Sequence, residues 1–278
     1  MRMKNMDEER SDINVISLIP FLLITFMLTW GLLALYIFLP DHMSSLFGEL
    51  TGNHPLFFLA VYAPAIAAFT IIIAKTGVSG LRDYLKRFLL FRTSAAWYLF
   101  LIFGIPIIFY LGAAINGNLA VHPFPFNSLN ALFIALILSI IKGPVEEFGW
   151  RGFALPLLQR KLVPFWASIV LGIIWGFWHL PAFLLSGTQQ SSWSFFPFFL
   201  GTIVISILMT ALYNKSRGSI FLAAFMHFQL MNPIWPDAAP FDTYFLAIAA
   251  VIVISLNREM MFRRTSSITE IFPSKKWT

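Results

Sequence analysis

The feature that most constrains this chain is a series of long stretches without one charged side chain. Residues 13–40, 50–74, 93–141 and 162–214 contain no Asp, Glu, Lys or Arg. About 20 apolar residues cross a ~30 Å hydrocarbon core as a helix, and each stretch reaches that length. Hydrophobic residues make up 58% of the chain against 12% charged, which excludes an ordinary soluble domain. Backbone polar groups in lipid must pair within their own segment, so continuous runs of this kind form helices. The fold class is therefore all-α, a polytopic integral membrane bundle.

Polar breaks divide the runs. Asn116-Gly117-Asn118 and Pro123-Phe124-Pro125 split the third, residues 186–192 split the fourth, and shorter apolar runs follow at 218–236 and 243–257. The reading predicts about eight transmembrane helices. Residues 1–14 form an N-terminal segment, 15–256 the transmembrane bundle and 257–278 a C-terminal tail. The first run is too long for a cleaved signal segment and is expected to remain in the membrane.

All 19 Lys and Arg residues fall in the termini and in alternate connections. Arg2, Lys4 and Arg10 precede the first span, and Lys75, Arg82, Lys86, Arg87 and Arg92 follow the second. Lys142, Arg151, Arg160 and Lys161 surround the fourth connection, Lys215 and Arg217 the sixth, and five more lie at the C-terminus. Loops 41–54 and 116–127 have none, so both termini are expected in the cytoplasm, with the cell membrane as the location. The net charge of +6 then reflects topology. The expected partner is the lipid bilayer, with no nucleic acid. Residues 81–90 alternate basic and apolar side chains, as an interfacial helix on an anionic leaflet or an ordinary loop helix would.

Charged groups in a bilayer cost at least ~2.5–3.5 kcal/mol each, so those that occur there mark candidate sites. Of 13 acidic residues only Glu146 and Glu147 lie in a membrane-associated apolar context. Of five His residues only His179 and His227 lie within predicted spans. Glu147 and Arg151 are four apart, share a helix face and are expected to pair, which leaves Glu146 free to act as a base. His227 is followed by Gln229 and Asn232. Helix rise puts His179 ~22 Å and His227 ~15 Å from the cytoplasmic ends of their spans, so the two meet only if the spans tilt or start at different depths. Gly143-Pro144 is expected to kink the run 129–160 and bring the glutamates to mid-depth.

These residues resemble the CAAX-protease and bacteriocin-processing (Abi, CPBP) intramembrane endopeptidases. Glu146-Glu147-Phe148-Gly149-Trp150-Arg151 is similar to the family's Glu-Glu-x-x-x-Arg, and Trp175 to His179 to its aromatic-x-x-x-His. The third motif, His-x-x-x-Asn, departs by one residue: Met231 stands four after His227, and the Asn is Asn232. The resemblance covers roughly residues 90–256. It implies that Glu146 activates a water for attack on a peptide carbonyl, supported by Glu147 and Arg151. His179 would help hold the water, and His227 with Asn232 would stabilise the oxyanion. On a regular helix Asn232 lies ~140° from His227, so Pro233 must redirect it, or Gln229 replaces it. The substrate implied is a hydrophobic or lipidated peptide or protein, prenylated CAAX proteins being the targets of eukaryotic relatives.

No Cys is present, which excludes disulfides, thiol nucleophiles and Cys-type metal sites. The mechanism is expected to need no cofactor. The alternative is zinc or another divalent metal at Glu146, His179 and His227, which would make this a metal-dependent version of the same protease. A further alternative is a non-enzymatic transporter or bacteriocin-immunity membrane protein. Gly77-Val78-Ser79-Gly80 matches a rhomboid Gly-x-Ser-Gly, but it falls in a basic connection rather than at a buried helix start.

Overall fold

The computed structural model describes residues 13–121 and 126–273, which contain helices and no strand. Arg2, Lys4, Arg10, the Pro123-Phe124-Pro125 break, Lys275 and Lys276 lie outside the described residues. The principal helices are α1 (Leu18–Phe38), α2 (Pro55–Leu85), α3 (Ala95–Ile115), α4 (Leu129–Ile141), α5 (146–159), α6 (Pro164–Trp178), α7 (Phe195–Lys215), α8 (Ile220–Leu230) and α9 (Phe241–Leu256). The protein is an all-α integral membrane bundle. Six helical stretches among the described residues are long and apolar enough to cross a membrane. The last two apolar runs became the shorter α8 and α9, ~16 and ~24 Å long. The expected count of eight therefore stands as six spans and two shorter apolar helices.

The bundle turns large apolar side chains outward as well as inward. Phe38 and Leu256 are 78% and 79% exposed, and no side chain of α4 is fully buried. In water this surface would aggregate, whereas in lipid it costs nothing.

Where helices meet, small residues and polar pairs do the joining. Ala60, Ala63, Ala67 and Ala68 of α2 are buried, and α2 packs along α1. Pro64 lacks an N–H, so the Ala60 carbonyl loses its i+4 donor. Thr29 of α1 supplies the replacement, its Oγ1 donating to the Ala60 carbonyl at 2.8 Å. The same Oγ1 accepts from Trp178 Nε1 at 2.8 Å, which draws in the end of α6. One threonine thus links three helices inside the core that Phe21, Trp150, Phe153, Trp175 and Trp178 fill.

Gly77 adopts φ +68°, a left-handed conformation that glycine tolerates, and reverses the chain within α2. Phe69 and Tyr84, 15 residues apart in sequence, consequently touch ring to ring. The glycine-serine motif at 77–80 is this bend, with Ser79 Oγ donating to the Thr76 carbonyl.

Two expectations about basic residues are decided by the structure. Segment 81–90 is the end of α2 followed by a tight turn at Lys86–Leu89, which matches the ordinary loop helix rather than the interfacial one, since Arg87 within it is fully buried. Its guanidinium donates to the carbonyls of Ile271 (2.6 Å), Gly218 (3.1 Å), Phe272 (3.1 Å) and Glu270. The C-terminal segment up to 273 is thereby strapped onto the bundle, and Ile268 and Ile271 enter the core. Lys142 departs from the one-sided pattern of basic residues. Its Nζ donates to Asn53 Oδ1 at 2.6 Å and lies 5.3 Å from the Phe58 ring, beside a loop that the charge pattern assigns to the other face.

Candidate active site

The run 129–159 is not one straight helix. The backbone leaves helical geometry at Lys142 (φ −85°, ψ −88°), makes a tight turn through Gly143–Val145, and restarts at Glu146. Pro144 contributes no N–H there, as the sequence led one to expect. Both glutamates consequently sit in the first turn of α5, where unpaired N–H groups and the helix dipole favour anions. A wide π-type turn over Trp150–Ala154 follows, an irregularity common at functional sites.

Glu147 and Arg151 are wholly buried and pair at 3.1 Å between Oε1 and Nη1, on the shared face that four-residue spacing predicts. The same Oε1 meets His227 Nδ1 at 2.7 Å. His227 comes from the end of the short helix α8 (Ile220–Leu230), so the glutamate and histidine spans do meet in the folded chain. Gly143 makes the approach possible, since a Cβ at this position would lie 2.6 Å from His227 Nε2.

Glu146 is buried and is not free. Its Oε2 accepts from Trp175 Nε1 at 2.9 Å. A buried indole must place its N–H on an acceptor, and this requirement, legible in principle from a Trp within a span, was the signal that sequence reasoning missed. Trp175 touches the rest of the site as well. Its ring lies 4.6 Å from the Arg151 guanidinium and packs edge-on against His179 and His227, each at 5.5 Å. Its carbonyl accepts from His179 Nδ1 at 2.8 Å. A carbonyl can only accept, so Nδ1 of His179 carries the proton and Nε2 presents a lone pair.

Asn232 lies just beyond α8 in its own small network. Its Nδ2 donates to Gln229 Oε1 (3.2 Å) and its Oδ1 accepts from the Ile234 N–H (3.1 Å). Gln229 Nε2 is tied to the Leu101 carbonyl at 2.7 Å. The structure thus joins Glu146, Glu147, Arg151, His179 and His227 through direct contacts and joins Asn232 to Gln229.

Among the described residues no group of three or more His, Asp or Glu side chains is disposed to hold a metal ion.

Residues 128–231 match the family model for type II CAAX prenyl endopeptidase, Rce1-like. The chain is 30% identical over 221 residues to CAAX prenyl protease 2 of Methanococcus maripaludis, which covers 73% of this chain and 81% of the relative. The matched stretch contains both glutamates, Arg151 and both histidines, and it ends one residue before Asn232. An all-helical membrane bundle with a buried Glu-Glu-Arg-His core and this likeness to a curated relative belongs to the Rce1-like CAAX prenyl endopeptidase family, and the chain is an intramembrane protease of the CAAX type.

Proposed function

We propose that this protein hydrolyses a peptide bond in a prenylated, membrane-associated protein or peptide, with Glu146 as the base that activates water and no metal in the reaction. The observation that supports this reading is the division of labour between adjacent carboxylates. Among the described residues, Glu147 Oε1 is committed to Arg151 and His227 and its Oε2 is fully enclosed without a partner, whereas Glu146, slightly more accessible, accepts one hydrogen bond, from Trp175. Glu146 thus has lone pairs left for a water molecule.

In this reading Glu146 takes a proton from water as the oxygen attacks the carbonyl carbon of the scissile bond. His179 Nε2 accepts the water's other hydrogen and orients it. His227 in its protonated form donates from both nitrogens, Nδ1 to Glu147 and Nε2 to the developing oxyanion. Asn232 Nδ2, which has a second hydrogen beyond the one given to Gln229, is the other oxyanion donor. Such donors count most in a dry site, where they need no reorganisation as charge develops. When the intermediate collapses, the C–N bond breaks and Glu146 returns its proton to the amine. The products are a carboxylic acid and an amine, which become a carboxylate and an ammonium by passing the acid's proton to the amine, and the base is regenerated.

The test assumes no substrate. Membrane and secreted peptides from cells carrying the wild type are compared by mass spectrometry with those from cells carrying Glu146→Gln at equal expression. Fragments that disappear with Glu146→Gln support the reading and name the substrate. Identical peptide profiles, matching cells without the protein, would move a non-enzymatic role ahead.

A further inference from the structure

We infer that Trp175 is a positioning residue for hydrolysis: its indole N–H holds the reacting carboxylate of Glu146 in one orientation while its carbonyl selects the tautomer of His179. This deepens the glutamate reading above and rests on it.

Three contacts carry the inference. Trp175 Nε1 donates to Glu146 Oε2 at 2.9 Å with both residues buried, so neither the donor nor the acceptor has bulk water to turn to. The face of the same ring lies against Arg151, 4.6 Å from its Cζ, which stops the indole from tipping away from Glu146. The carbonyl of the same residue accepts from His179 Nδ1 at 2.8 Å, which commits His179 Nε2 to accepting a hydrogen. One residue therefore sets the aim of the base and the acceptor that faces the same water. Trp175 touches neither water nor substrate in this account and acts through Glu146 and His179.

The groups that take part in the charge balance of Glu146 are His227 on α8 and Glu147 and Arg151 on its own helix; His179 meets the same Trp175 ring, and Lys142, four residues before Glu146, is turned to Asn53. Tyr62 and Tyr84 belong to α2, which packs against the start of α5, and the Tyr84 hydroxyl donates to the Phe148 carbonyl. Trp175→Phe alters none of these. It keeps a ring beside Arg151 and the imidazoles but is one fused ring smaller than indole, so it removes the N–H together with some packing, and benzothienylalanine at the same position isolates the N–H.

The test is the pH dependence of kcat/KM for the full-length protein in lipid nanodiscs, cleaving a farnesylated peptide that ends in a CAAX sequence. A donor to a carboxylate favours its charged form, so its loss makes the base harder to deprotonate. The acidic limb of the Trp175→Phe profile is expected to move to higher pH by about one unit. A residue that merely packs would lower the rate evenly across pH without moving the limb. Should Trp175→Phe fail to fold, benzothienylalanine at position 175 keeps the indole's size and removes the N–H; the same displacement is expected. A limb that superimposes on that of the wild type overturns the assignment. Glu146→Gln in the same assay separates the two failures. If it is inactive and the limb has not moved, only the role of Trp175 falls. If it cleaves at the wild-type rate, the glutamate reading falls and takes this inference with it.

Discussion

Glu147 and His227, separated by 80 residues in sequence, meet at 2.7 Å between Oε1 and Nδ1, and that one oxygen also receives Arg151 at 3.1 Å. The contact ties the start of α5 to the end of α8. Breaking a buried ion pair by removing one partner leaves the other charge uncompensated, at a cost of about 3–5 kcal/mol. Glu147→Leu is therefore expected to lower thermal stability in detergent by that order and to abolish cleavage. A variant that melts within about 0.5 kcal/mol of the wild type would show that the pair is not holding the two helices together.

The buried Arg87 makes a separate prediction about the C-terminal strap. Arg87→Met keeps the volume but leaves the carbonyls of Gly218, Glu270, Ile271 and Phe272 without their donor. Each orphaned buried group costs about 1–3 kcal/mol, more than the docking of a short segment withstands. Amide hydrogen exchange over residues 267–273 is expected to speed up selectively, with α6 and α7 unchanged. Equal protection in both proteins would mean that Ile268 and Ile271 suffice to hold the strap.

Thr29 is a third test, because it serves both as donor and as acceptor. Thr29→Val preserves shape while leaving the Ala60 carbonyl and the Trp178 indole unpaired. The expected loss is about 1–3 kcal/mol of stability, read from the denaturation midpoint in detergent. No loss would mean that the Pro64 gap is satisfied in another way.

The pH dependence of catalysis has a definite sign. A base must be unprotonated to take a proton from water, so kcat/KM is expected to fall on the acidic side as Glu146 becomes protonated. A rate that stays flat from about pH 5 to pH 8 would argue against a carboxylate base. Dialysis against a chelator is expected to leave the rate unchanged, and restoration of lost activity by zinc would favour the metal-dependent alternative.

What could be read from the sequence follows from how local each feature is. Charge-free runs determine helices in lipid, and the Glu147–Arg151 pair needs only its four-residue spacing, so both are legible along the chain. The turn at Gly143-Pro144 was likewise visible, since proline removes an N–H wherever it stands. The role of the Trp175 N–H is not legible along the chain, because the acceptor that makes it matter lies 29 residues away on another helix. The contacts of Lys142 and Arg87 are not legible either, because counting basic residues cannot distinguish a lysine reaching Asn53 from one in water, nor an arginine that pins a distant strap. Asn232 remained ambiguous, and its hydrogen bonds to Gln229 and Ile234 depend on the chain leaving the helix after Leu230.

The most direct measurement is cleavage of a farnesylated CAAX peptide by the purified full-length protein and by Glu146→Gln, followed by mass spectrometry of the products. The account predicts that the wild type hydrolyses one peptide bond, and that Glu146→Gln folds and inserts normally but loses about 10²-fold to 10⁴-fold in rate. Cleavage by Glu146→Gln at the wild-type rate would contradict it.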